Sequence, residues 1–232
     1  MVHIGQLDLS IGPGIVAVIG KDAYNTALRA CSMGAHILEI RIDLLGINDI
    51  EELRSLLHGL KRKTGLPVIA TNRCREEGGY WRGSEYKRIE LLIGAIPDAD
   101  AIDIELSSAT KDMVIDAVRS AGKTLIISSH DFSTTPTSSA MLAVLEQARN
   151  AGADIAKLAV TPVNTADTLN LLSVTQKVDF PVCTIAMGKL GTHTRVVAPI
   201  YGSVLTYGSV DDALAPGQLR IDDLRNMMAV LV

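Results

Sequence analysis

His36-Ile37-Leu38-Glu39-Ile40-Arg41-Ile42-Asp43-Leu44 is two patterns interleaved. Leu38, Ile40, Ile42 and Leu44 take alternate positions, and Glu39, Arg41 and Asp43 fill the gaps between them. Successive side chains of an extended chain point to opposite faces, so one face of this strand is apolar and the other is charged. The stretch 101–106 repeats the pattern, with Ile102, Ile104 and Leu106 opposite Asp103 and Glu105. In 155–160, Lys157 lies opposite Leu158 and Val160. A doubly wound sheet is covered on both faces and needs strands that are apolar on both. A barrel gives each strand two unlike environments, helices outside and an axis inside that can hold a polar site near its C-terminal mouth. The parity therefore favours a (β/α)8 TIM barrel.

Outward from these three strands, a β–α rhythm fills the chain. Strands are expected at 15–19, 36–43, 67–73, 101–106, 124–130, 155–160, 181–187 and 205–208. Ile50, Leu53, Leu57 and Leu60 form one helical stripe; Ile89, Leu92, Ile93 and Ile96 form a second, and Ile221, Leu224, Met228 and Leu231 a third. Asp49 with Glu52 three residues on reads as a capping signal, and Lys61-Arg62-Lys63 as the charged end of a helix. Residues 1–9 are left over, as an extra strand closing the barrel bottom. No linker or low-complexity tract divides the 232 residues, so a single catalytic domain over 1–232 is expected.

A net charge of -4 supplies no basic field for nucleic acid. Charged residues interrupt every long apolar window, so no membrane span is expected. The N-terminus lacks the basic-then-apolar run of a signal peptide. Cys31, Cys74 and Cys183 are odd in number and contain no CxxC, which argues against a disulfide framework or zinc and for a reducing, cytoplasmic setting.

Several residues could carry chemistry. Lys157 stands alone among apolar strand neighbours with small Ala159 on its face. Desolvation favours the neutral amine, which can attack a carbonyl; the alternative is a barrel lysine paired with Glu39, Glu105 or Asp103. His130 ends its strand, where proton transfer near neutral pH is possible; the alternative is a loop-capping histidine. His3, His36, His58 and His193 share no metal-ligand spacing. Arg73 continues the inward parity of Ile69 and Thr71. Glu77, before Gly78-Gly79, could orient His130, although the loop could also be ordinary charged surface. Arg195, after Met187-Gly188, suits a carboxylate through a bidentate fork. Gln218, behind Pro216-Gly217, could close over a ligand or merely follow a turn.

Taken together, Glu39-Ile40-Arg41-Ile42-Asp43, Arg73 with Glu77-Gly78-Gly79, Ser129-His130-Asp131-Phe132, Lys157, Met187-Gly188 to Arg195 and Ala215-Pro216-Gly217-Gln218 resemble the type I 3-dehydroquinate dehydratases of the shikimate pathway. The resemblance runs in order over nearly the whole chain. It implies a Schiff-base barrel, usually a homodimer, with no metal and no organic cofactor. The reaction would be dehydration of 3-dehydroquinate to 3-dehydroshikimate, the third step of chorismate and aromatic amino-acid biosynthesis. By resemblance, Lys157 forms the imine, His130 moves the protons and Glu77 holds His130. Glu39, Arg41 and Arg73 bind ring hydroxyls, Arg195 binds the carboxylate, Gln218 belongs to a closing loop, and Met187 and Tyr207 pack the wall. Two positions depart from the family: Leu214 stands where Ser is common, and Thr194 replaces a frequent Ser but keeps the hydroxyl. The rival readings are another lysine-imine barrel such as a class I aldolase, which needs a phosphate cradle, and a non-catalytic ligand-binding barrel.

Overall fold

Along five strands the inward residues pass from apolar to polar in steps of two: Ile37, Glu39, Arg41; Ile69, Thr71, Arg73; Ala101, Asp103, Glu105; Ile126, Ser128, His130; and Ile155, then Lys157. This gradient organises the computed structural model, which describes residues 2–211 and 215–231. Leu214, which departs from the family's common Ser, lies outside the described residues.

A short antiparallel hairpin, β1 (His3–Ile4) and β2 (Leu7–Asp8), turns at Gly5 with φ 59°. Eight strands then follow in parallel order: β3 (Gly14–Ile19), β4 (Ile37–Arg41), β5 (Val68–Thr71), β6 (Ala101–Glu105), β7 (Thr124–Asp131), β8 (Ile155–Val160), β9 (Val182–Ala186) and β10 (Leu205–Ser209). The ring closes at its lower edge, where the Val204 N–H donates to the Val182 carbonyl at 2.8 Å and Ser203 bridges Val182 in parallel. A two-residue strand, β11 (Leu219–Arg220), pairs with Gly208 and Ser209 on the edge of β10 that faces β9. The outer shell contains α1 (Ala23–Met33), the single turn α2 (Ile42–Leu45), α3 (Ile50–Thr64), α4 (Glu85–Ala95), α5 (Lys111–Ser120), α6 (Ser138–Ala151), α7 (Thr165–Lys177), the short α8 (Gly188–Gly191) and α9 (Thr194–Val197), and α10 (Ile221–Leu231). The fold is a TIM barrel.

Two apolar cores follow from strand parity. The outward residues Leu38, Ile40, Ile102 and Leu158 pack against Leu53, Leu57, Leu60, Leu92 and Leu224 of the helices. The inward residues Val16, Ile37, Ile69, Ile126 and Ile155 fill the lower barrel with Ile4 and Leu9 of the hairpin segment. Of the stretch expected as a single strand at 1–9, residues 2–9 plug the bottom as a hairpin instead. The Asp49 side chain accepts the Glu52 N–H at 2.8 Å and starts α3, as expected. The predicted strand 36–43 stops at Arg41. The chain coils there into α2, which ends on Gly46 at φ 68°, and this coil turns Asp43 back onto Arg41. The short β11 is not visible in any sequence pattern.

Candidate active site

The polar end of the inward stripes opens on a cavity of about 320 Å3. All ten residues singled out from sequence line it: Glu39, Arg41, Arg73, Glu77, His130, Lys157, Met187, Arg195, Tyr207 and Gln218. Lys157 rises from the middle of β8. Its Nζ donates to Asp103 Oδ2 at 2.9 Å, Tyr207 Oη at 3.1 Å and Glu39 Oε1 at 3.4 Å. Burial disfavours the ammonium, but Asp103 and Glu39 outweigh that cost and hold the Lys157 pKa above the ordinary lysine value. The desolvation argument from sequence thus has the wrong sign for the resting amine: the two carboxylates favour the ammonium form of Lys157. The reading as a paired lysine was correct about the geometry.

Asp103 joins Lys157 to a larger network. Its Oδ1 accepts from Arg73 Nη2 at 2.8 Å and Ser128 Oγ at 2.7 Å. Burial opposes ionisation of Asp103, yet Arg73 and Lys157 keep its pKa well below the usual carboxylate range. Arg73 Nη1 also donates to Glu105 Oε1 at 2.8 Å, and Glu105 Oε2 accepts from Arg88 Nη1 at 2.8 Å. Arg88 reaches in from α4, donates to the Asn72 carbonyl and is clamped by both oxygens of Glu85. Asp103 and Glu105 do not line the cavity; they hold Arg73 and Lys157, which do. Sequence reasoning missed Arg88. The signal was Glu85-x-x-Arg88 beside Ile89, Leu91 and Leu92 on a buried helix face.

His130 and Glu77 form a second unit. Glu77 sits in the turn after β5, which closes on Gly78 at φ 77°. Its Oε2 meets His130 Nδ1 at 2.8 Å and its Oε1 accepts from Ser107 Oγ at 2.6 Å. Burial, then Arg73 and Lys157, drive the His130 pKa well below 6.5. Burial raises that of Glu77. A neutral ring donating Nδ1–H to Glu77 leaves the Nε2 lone pair free to act as a base. Phe132 stacks beside His130 and also lines the cavity.

Arg195 fills the gap beside the β9–β10 seam. Its Nε donates to the Gly217 carbonyl at 2.9 Å, Nη2 to Pro216 at 3.0 Å and Nη1 to Tyr207 at 3.3 Å. Among the described residues it pairs with no carboxylate. Burial lowers its pKa to about 10, so it remains a cation at neutral pH. These three carbonyls use three of its five N–H donors, which leaves one on each terminal nitrogen. The segment Ala215–Gln218 rests on Gly188, whose N–H donates to the Pro216 carbonyl at 3.1 Å. Gln218 Oε1 accepts the Ala215 N–H and pins that turn. Arg41 faces the cavity with its Nε and one Nη2 hydrogen held by Asp43 at 2.8 and 2.7 Å. Outside the site, the other four histidines are exposed and the three cysteines are free thiols.

Comparison with known proteins bears on this arrangement. The family model for type I 3-dehydroquinase matches residues 15–231. A 3-dehydroquinate dehydratase of Methanosarcina barkeri is 51% identical over 241 residues, covering 100% of both chains. The solved 3-dehydroquinate dehydratase of Geobacillus kaustophilus is 31% identical, with a TM-score of 0.89 over 94% of this chain and 91% of that one. The solved type I enzyme of Clostridium difficile, which carries covalently modified comenic acid, is 29% identical with a TM-score of 0.88, over 95% and 92%.

Proposed function

The chain belongs to the type I 3-dehydroquinases, and on that premise we propose that it eliminates water from 3-dehydroquinate through an imine on Lys157. The observation that carries the reading is one cavity shared by a buried lysine amine, a neutral histidine held by a carboxylate, and a buried arginine that pairs with no carboxylate among the described residues. In this reading Lys157 first gives up a proton; Asp103 is the nearest base at 2.9 Å, and neutral His130 lines the same cavity. The amine condenses with the C3 ketone and releases water. The protonated imine then acts as an electron sink for the adjacent carbon. His130 Nε2 removes the C2 proton and the electron pair moves into an enamine. That pair next expels the C1 hydroxyl, which leaves as water with the proton that His130 returns. Hydrolysis of the conjugated imine frees 3-dehydroshikimate and restores Lys157.

The remaining lining residues hold the ring. Arg195 offers its two remaining N–H donors to the substrate carboxylate, and an anion there would offset the cost of burying an unpaired guanidinium. Glu39, Arg41 and Arg73 bind ring hydroxyls, Met187 and Tyr207 form the wall, and Gln218 anchors the closing loop. The reading extends to one catalytic domain that works as a cytoplasmic homodimer without metal or organic cofactor, as family membership suggests. Turnover of 3-dehydroquinate, followed by the new ultraviolet absorbance of the conjugated enone, tests the activity. A folded protein that leaves the substrate unchanged would remove it.

A further inference from the structure

Two of the three groups that accept from Lys157 are the carboxylates Asp103 and Glu39. Ionised carboxylates only accept. Tyr207 is different, because a phenol can accept through its oxygen and still donate its own hydrogen. The Tyr207 hydroxyl accepts from Nζ at 3.1 Å, and no acceptor for its O–H lies within reach among the described residues. The side chain is only 3% exposed, yet it lines the cavity. Its donor is therefore left for whatever binds beside Lys157.

We propose that Tyr207 is a catalytic proton relay, which protonates the substrate's ketone oxygen as Lys157 adds to the ketone carbon. This rests on the imine reading above. When neutral Nζ adds, its lone pair forms the N–C bond and the C=O π pair moves onto oxygen. The adduct then carries a positive N–H and an alkoxide on the same carbon. The phenol passes its proton to the alkoxide and takes one from Nζ, along the contact that already exists between them. Nitrogen, the two hydrogens, Oη, the substrate oxygen and the carbon close a six-membered ring. The product is a neutral carbinolamine, and the phenol ends as it began.

The surroundings suit a donor rather than a base. Burial holds the Tyr207 pKa well above its ordinary value against the pull of Lys157, so the phenol keeps its proton throughout the neutral range. Nζ also stands 4.2 Å from the Tyr207 ring centroid. Tyr207→Phe would keep that contact and delete only the hydroxyl.

The test is rapid-quench borohydride trapping with 3-dehydroquinate, comparing the full chain with its Tyr207→Phe variant. The variant is expected to form the adduct on the same lysine, but about 10²-fold more slowly, the loss typical of one donor to a developing oxyanion. KM and the thermal midpoint should change little. Trapping at the parental rate in a folded variant overturns the proposal. Absence of any Lys157 adduct in the parent protein overturns the imine reading instead, so the two failures are distinct. Site-specific 3-fluorotyrosine at 207 keeps the hydroxyl, makes it more acidic and gives a second reading if the Phe variant does not fold. It should move the alkaline fall in trapping rate to lower pH; an unmoved limb overturns the relay.

Discussion

One oxygen of Glu77 holds His130 twice: Oε2 meets the ring Nδ1 at 2.8 Å and accepts the His130 backbone N–H at 2.9 Å. The imidazole and the end of β7 that carries it are thus fixed by a single carboxylate. Ser107 in turn fixes that carboxylate through Oε1. A base held in one tautomer contributes about 10²–10⁴-fold. His130→Ala should lose at least that much turnover while keeping its fold, and should accumulate covalent imine because the later proton transfers stall. Glu77→Gln should lower kcat more than it raises KM, since the amide can present a donor to Nδ1 and favour the wrong tautomer. Near-parental turnover by a folded His130→Ala protein would take His130 out of the mechanism.

The same surroundings set a pH dependence of stability. Burial, with Arg73 and Lys157 next, depresses the folded His130 pKa well below 6.5. In the window below 6.5 the unfolded chain binds a proton at this position that the folded chain refuses. Stability therefore rises with pH across that window. The contribution is fully present above 6.5 and is lost as the pH falls toward the folded pKa. Urea unfolding should give a lower midpoint at pH 5.5 than at pH 7.5, and His130→Ala should flatten that difference. Equal slopes in the two proteins would place the titration elsewhere.

Arg195 tests the assignment of the carboxylate. Its Nε, Nη1 and Nη2 all donate to backbone carbonyls, which orient the guanidinium plane beside the cavity. Lysine keeps the charge but has neither the plane nor the fork. Arg195→Lys should raise KM, and the Pro216 and Gly217 carbonyls should lose part of their anchorage. An unchanged KM would mean that the substrate's carboxylate sits on another cation.

Period-two alternation made much of this legible. It placed Glu39, Arg73, Asp103 and Lys157 on inner faces, while the β–α rhythm gave all eight barrel strands and put His130 at the end of one. What it could not show was the balance of charges within that interior. Lys157 looked poised to lose its proton because desolvation is legible from apolar neighbours along one strand. The opposing attraction of Asp103 comes from β6, 54 positions away, and only the curvature of the sheet brings the two together. Arg88 was hidden for a related reason: a charged residue on a helix reads as solvated unless the strand behind it is known to present a carboxylate. The β9–β10 seam and β11 rest on a few hydrogen bonds and leave no pattern.

Arg88 carries a stability prediction of its own. It is 1% exposed and bonds Glu85, Glu105 and the Asn72 carbonyl. Removing one partner of a buried ion pair costs about 3–5 kcal/mol, because the other charge stays behind. Arg88→Met should cost about that much in urea unfolding, with Glu105 kept from complete isolation by Arg73. A loss below about 1 kcal/mol would mean that the link from α4 to Glu105 is not structural.

Lys157 carries the decisive prediction. Water elimination beside a ketone leaves an electron pair that needs a sink. In the proposed reaction that sink is a protonated imine, and only an amine can form one. Lys157 is the lysine whose amine lines the cavity. Borohydride with 3-dehydroquinate should inactivate the protein irreversibly and add a ligand-derived mass to the peptide containing Lys157. Lys157→Met should abolish both turnover and adduct. The barrel should survive the change: Asp103 keeps Arg73 and Ser128, while Glu39 keeps the Thr71 hydroxyl at 2.9 Å. Methionine roughly conserves the volume. Lys189 is the internal control, because it lies in α8 and does not line the cavity. An adduct mapped to Lys189, or full turnover by the Lys157→Met protein, would break the link between the buried amine and the elimination.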